Sequence, residues 1–188
     1  MQVDLLRHGA TEHAYAYCGA LDVSLSALGR EQMEAAVAGG QWDLIYTSPL
    51  RRCDVMAQTF AQRLGIDCHR DARLRELNFG CWEGRSAEQL LAEDGAALNR
   101  FWSDPFRYSP PGGESVVALT DRVLSFWRDC IEPSTAARVL VVTHGGPIRI
   151  LLNHYFQSSP GRLLEHQVPH AARFTLDVYR DVAASPET

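Results

Sequence analysis

Two histidines leave apolar runs directly into glycine: Val3-Asp4-Leu5-Leu6-Arg7-His8-Gly9 and Val139-Leu140-Val141-Val142-Thr143-His144-Gly145-Gly146. Neutral imidazole is nucleophilic toward phosphorus, and a phosphoramidate intermediate divides one difficult displacement into two easier ones. Arg7 lies beside His8, and Gly9 would let the backbone approach an anion closely. A second imidazole at His144, doubly protonated, would donate to phosphoryl oxygens as charge shifts in the transition state. Gly145 and Gly146 would present backbone N–H groups at the start of a helix. The plain alternative for either histidine is a side chain hydrogen-bonded at a strand end.

Two further stretches supply charge. Ser48-Pro49-Leu50-Arg51-Arg52-Cys53 places adjacent arginines near a helix start, where a planar fork of donors suits phosphate. Only one of the two can point inward, since neighbours on a helix face different ways. Leu74-Arg75-Glu76-Leu77-Asn78-Phe79-Gly80-Cys81-Trp82-Glu83-Gly84 offers two glutamates. A carboxyl group held among apolar neighbours keeps its proton to higher pH, and can then protonate a leaving alkoxide and deprotonate water. Glu76 lies between leucines, while Glu83 follows Trp82.

The elements that must position these groups follow from periodicity. Val3–Leu6, Asp43–Thr47 and Val139–Val142 read as strands, the first and last buried on both faces. Helices are expected from Ser26 to Ala38, from Pro49 to Leu64, from Ser86 to Trp102 and from Glu114 to Cys130, with another through Asn153. A short strand is expected near Leu74, and two more at Glu165–Val168 and Arg173–Tyr179. Strands alternating with helices imply an α/β fold with a mostly parallel sheet covered on both faces. Ligands in such sheets bind beyond the strand carboxyl ends, where Arg7-His8-Gly9 and Thr143-His144-Gly145 both fall.

The 188 residues suit one domain, and 46% apolar with 22% charged residues is ordinary for a globular protein. The net charge of −5 speaks against nucleic acid but leaves a small anionic substrate open. No apolar run approaches the ~20 residues of a membrane span, and Met1 is not followed by a basic flank or a cleavage site, which speaks against a signal peptide. Five cysteines without a C-x-x-C pair point to reduced thiols and a cytoplasmic location. His166 and His170 are four apart, but Val168 and Pro169 argue against a helix there and hence against a metal pair.

Together R-H-G-x-T, S-P-L-x-R, R-E-x-x-F-G-x-W-E-G, P-G-G-E-S and T-H-G-G resemble the histidine phosphatase superfamily over Val3 to Leu152. The resemblance implies a three-layer α/β/α sandwich, one domain over residues 1–188 with a helical cap insertion around 76–114, and no metal or organic cofactor. It implies His8 as nucleophile, Glu76 as acid/base and His144 as the second histidine. Arg7, Arg52 and Gly145 would bind phosphate, and Thr11, Tyr17 and Trp82 the remainder of the substrate. One departure stands out: the family's asparagine six residues beyond the first histidine is Ala14 here. Losing that amide would weaken phosphate binding by ~0.5–1.5 kcal/mol, with His13 or Tyr17 as candidates to replace it.

Within the superfamily the motifs are most like the alpha-ribazole phosphatase branch, which implies a phosphomonoesterase acting on alpha-ribazole 5′-phosphate in cobalamin synthesis. Trp82, Phe101, Trp102, Phe106 and Tyr108 would then stack on a planar base or form the core of the cap. The alternatives are a sugar-phosphate or broad-specificity phosphatase, a phosphoglycerate mutase, or a catalytically silent binding relative. The expected partner is a small phosphorylated substrate, with no nucleic acid and no membrane, in a monomer or homodimer.

Overall fold

A computed structural model describes residues 1–13 and 15–179. Among those residues one sheet contains β1 (Gln2–Arg7), β2 (Leu44–Thr47), β3 (Asp67–Arg70), β4 (Arg138–Thr143) and β5 (Arg173–Asp177), in the order β3-β2-β4-β1-β5. The first four run parallel, and β5 lies antiparallel along β1. The helices are α1 (Ala27–Val37), α2 (Arg51–Leu64), α3 (Ala87–Ser103), α4 (Val116–Phe126) and α5 (Gly145–Tyr155). None of the described helices is long and apolar enough to cross a membrane.

Alternation along the strands divides the core into two. Val3 and Leu5 of β1 join Val139 and Val141 of β4 in a cluster with Leu119, Val123 and Phe126 of α4 and with α5. Leu6, Leu140 and Val142 point the other way, against Met33 of α1 and Met56 and Phe60 of α2. A strand apolar on both sides needs cover on both sides, which gives the expected α/β/α sandwich.

Several helix ends carry side-chain or glycine caps. Ser26 Oγ accepts from Gly29 N at the start of α1, and Ser86 with Gln89 forms a capping box on α3. Gly65 takes the left-handed conformation that closes α2. α3 is kinked at Asp94, and α4 continues into a π-turn over Trp127–Ile131.

Two expected strands are absent. The stretch near Leu74 is a 3-10 turn, Ala72–Leu74, and the strand of this region is β3. Its Asp-Cys-His-Arg sequence is polar because it forms the sheet edge, so no apolar alternation marks it. Glu165–Val168 is not a strand either: Pro160–Glu165 is a 3-10 helix, and the following segment crosses the end of β1, with Ala171 N donating to His8 O at 3.1 Å.

Insertion of β4 between β1 and β2 brings three strand ends together. Arg7 is level with Thr143, and Thr47 with Val142. His8, His144 and Ser48 therefore leave the sheet side by side, at the point where strand order reverses.

The loop after His8 is pinned by α1. A Cβ on Gly9 would stand 2.1 Å from Gly29 O, and one on Gly29 would stand 1.9 Å from Ala10 O. Gly9 is thus demanded by this backbone crossing. Gly29→Ala is expected to destabilise the protein by at least about 1–3 kcal/mol. Gly95→Ala in α3, where the nearest atom to the new Cβ is 3.7 Å away, should instead stabilise by ~0.5–1 kcal/mol. Chemical denaturation of the two variants measures both.

Candidate active site

His8 is 6% exposed, and its Nδ1 lies 2.7 Å from Gly9 O. A carbonyl only accepts, so Nδ1 carries the proton and Nε2 is the unprotonated nitrogen. The His144 ring centroid is 5.1 Å away, and that of His170 5.6 Å away. Burial first, then Arg52 and Arg7, holds the His8 pKa well below its usual value. Imidazole in this setting stays neutral, as a nucleophile must.

His144 is fully buried, and its tautomer is the opposite one. Arg52 Nε–H donates to His144 Nδ1 at 3.2 Å, and His144 Nε2 lies 2.8 Å from Ser48 Oγ. A nitrogen that accepts from guanidinium bears no proton. The doubly protonated imidazole expected at His144 is therefore corrected to a neutral ring donating from Nε2. Burial, followed by Arg52 and His8, pushes its pKa in the same direction.

Arg52 has no exposed surface. Its Nη1 donates to Leu21 O at 2.7 Å, and its Nη2 to Cys18 O and Gly19 O at 2.9 and 2.8 Å. Of the adjacent pair it is the inward one, as expected, while Arg51 is exposed. Most of its donors hold backbone, so it acts on the site as a fixed charge and as the partner of His144.

Glu76 reaches the same place from the other side. Gly146 N donates to its Oε1 and Oε2 at 3.0 and 3.2 Å, and Leu77 N to Oε1 at 2.9 Å. The carboxylate faces N–H groups and cations, not the apolar enclosure expected from its leucine neighbours. A Cβ on Gly145 would lie 3.0 Å from Arg149 Nη1, 3.7 Å from Glu76 Oε2 and 3.8 Å from Arg7 Cζ, so these groups converge over the start of α5. Gly146 N–H is occupied by Glu76, and the amide this helix start can offer an anion is that of Gly145. Arg7 Nη1 donates to Val168 O at 2.6 Å, while its buried Nε has no partner among the described residues. Burial lowers the Arg7 and Arg149 pKa values, and the charge of Glu76 opposes that.

The residues expected to hold the rest of the substrate divide. Trp82 is 3% exposed and packs against Phe101 in the core, so its ring is no stacking surface. Tyr17 OH accepts from Trp102 Nε1 at 3.0 Å, and Trp102 is 40% exposed. Thr11 is buried in a bridge with Leu25. Ala14 lies outside the described residues, and His13 is exposed.

Three site residues escaped the sequence reading: Ser48, Arg149 and His170. Arg149 lies one turn after Gly145-Gly146 on the same helix, a spacing that could have flagged it. The sequence suggests for His170 only a metal pair with His166. The two are in fact separated in role, His166 stacking on Phe156 and His170 facing His8. Among the described residues no group of three or more His, Cys, Asp and Glu side chains is arranged to hold a metal ion.

Depressed histidine pKa values make stability depend on pH. The unfolded chain takes up protons at His8 and His144 below about pH 6.5, the ordinary value for histidine, while the folded protein does not. Their contribution is present above pH 6.5 and is lost progressively as pH falls, by up to about 1.4 kcal/mol per pH unit for each ring. Thermal melts between pH 7.5 and 5 (about the range in which histidine titrates) should show Tm falling with acidity. His144→Asn should flatten that fall.

Comparison with known proteins agrees with this geometry. A family model described as the histidine phosphatase superfamily (branch 1) matches residues 3–185. A bifunctional protein of Mycobacterium tuberculosis is 34% identical over 187 residues, covering 96% of this chain and 51% of its own length. The chain thus spans about half of that relative. A glucosyl-3-phosphoglycerate phosphatase of Mycolicibacterium vanbaalenii is 39% identical over 160 residues, 78% of this chain and 70% of the relative. The crystal structure of the alpha-ribazole phosphatase from Shigella flexneri superposes with a TM-score of 0.86 at 25% identity, covering 95% of this chain and 91% of that one. The two strand-end histidines and the match across nearly the whole chain lead to one conclusion: it belongs to the histidine phosphatase superfamily.

Proposed function

We propose that the chain hydrolyses phosphate monoesters through a phosphohistidine on His8. The observation that carries this reading is the pair of neutral imidazoles of opposite tautomer, 5.1 Å apart at neighbouring strand ends. Arg7, Arg52 and Arg149 with Glu76 give the site an excess of two positive charges, which a monoester dianion would neutralise.

In the first step the His8 Nε2 lone pair attacks phosphorus, the P–N bond forms and the P–O bond to the leaving group breaks. A proton taken up with the ester sits on Glu76 and passes to the departing alkoxide. In the second step Glu76 takes a proton from water, the oxygen attacks phosphorus, and the P–N pair returns to His8. Arg7 and the Gly145 N–H hold phosphoryl oxygens, and the fixed charge of Arg52 stabilises them as they gain charge.

The leaving group would lie toward a cavity of about 80 Å³ beside Glu76, lined by Leu77, Phe79, Trp102 and Arg149 among others. Likeness to the Shigella flexneri structure supports alpha-ribazole 5′-phosphate as substrate. A sugar-phosphate substrate is the second reading. The 39% identity to the glucosyl-3-phosphoglycerate phosphatase favours it, as does the burial of Trp82 and Phe101, which removes two of the rings expected to stack on a base. Specificity constants for the two esters separate these readings directly.

Labelling with a phosphate-32 ester followed by an alkaline stop should leave base-stable, acid-labile phosphate on the protein, and none on His8→Ala. Glu76→Gln should slow alkyl phosphates by about 10²–10⁴-fold but a nitrophenyl ester much less, because a good leaving group departs without a proton. Equal losses on both would count against Glu76 as the acid.

A further inference from the structure

Glu83, the second glutamate of R-E-x-x-F-G-x-W-E-G, has no place in the steps above, yet it is densely bonded. Its Oε1 accepts from Phe79 N and Ala20 N, both at 2.8 Å, and its Oε2 from Gly19 N at 3.0 Å and Leu21 N at 3.1 Å. Arg52 grips the same turn from its opposite side, through the carbonyls of Cys18, Gly19 and Leu21. The Cys18–Gly19 and Gly19–Ala20 peptide groups therefore each have their N–H on Glu83 and their C=O on Arg52. A Cβ on Gly19 would stand 1.8 Å from Leu77 O and 2.7 Å from Glu83 Oε1, so the turn fits only with glycine there.

Arg52 is a wholly buried cation with no carboxylate within ion-pair distance among the described residues. Burying such a charge is costly unless something compensates it. Peptide dipoles aligned from a carboxylate to a guanidinium do so, each pair strengthening the next in a low-dielectric interior.

We propose that Glu83 is a positioning residue for the reaction: through the Cys18–Leu21 turn it acts as the remote counter-ion of Arg52. It keeps the Arg52 Nε–H on His144 Nδ1 and so fixes the tautomer of that ring. The catalytic consequence rests on the proposed role of Arg52 and His144 at the phosphoryl group; the structural one does not.

The test is a double-mutant cycle of Glu83→Gln and Arg52→Lys, read as kcat/KM on a nitrophenyl phosphate. It is paired with nitrogen-15 spectra of the His144 imidazole, which need no turnover. Glu83→Gln should lower kcat/KM by roughly 10–100-fold, the range for groups that orient a directly acting one. The double variant should be little worse than Arg52→Lys alone. Glu83→Asp, which keeps the charge, should lie between wild type and Gln, and stands in for Gln if that variant does not fold. The His144 Nδ1 signal should shift in each Glu83 variant that folds. Fully additive losses, or an unchanged His144 signal, overturn the proposal. A shifted signal in a protein without phosphatase activity overturns only the functional reading on which the catalytic part rests.

Discussion

Parallel pairing of β4 with β1 in the register that sets Thr143 beside Arg7 is the constraint from which the site follows. One residue beyond each strand end lies a histidine, and the two rings are buried together at the sheet crossover. A slip of one residue would send Val139 and Val141 into the layer of α1 and α2 and Leu140 and Val142 into that of α4 and α5, and would move His144 out of line with His8. The two-sided core therefore holds the separation of His8 and His144 as firmly as it holds the fold.

Around that pair, charge is arranged so that neither ring becomes imidazolium. Guanidinium groups from β1 and α2 surround the imidazoles, and burial removes the solvent that would stabilise imidazolium. His170, with its pKa pushed down to about 4 by burial and then by Arg7, follows the same rule. Positive charge in the site is consequently carried by arginines, which cannot lose it, while the histidines remain free to accept phosphorus or to donate a neutral N–H. Dividing the work in this way suits a site that must attract an anion and also attack it.

Much of this was legible in the sequence, and the failures have physical causes. His8 and His144 stood out because buried parallel strands read as unbroken apolar runs with an abrupt polar end. Glu76 and Arg52 were found by motif, but their surroundings were not, because which backbone donors meet a side chain is a tertiary matter. Trp82 was assigned to the substrate since an aromatic ring in a cap serves equally well as core, and burial alone decides between them. β3 was invisible because an edge strand lacks apolar alternation. His170 and Arg149 come from segments whose approach to the site depends on the sheet order, and Glu83 acts on Arg52 only through a turn far from it in sequence.

The central claim is that His8 and His144 are both neutral and carry their protons on opposite nitrogens, His8 on Nδ1 through Gly9 and His144 on Nε2 through Arg52 and Ser48. Nitrogen-15 NMR of imidazole-labelled protein near neutral pH, with assignments from His8→Ala and His144→Ala, measures this directly. The account predicts an unprotonated Nε2 at His8 and an unprotonated Nδ1 at His144. A proton on His8 Nε2, or an imidazolium at either position in the free protein, would contradict it.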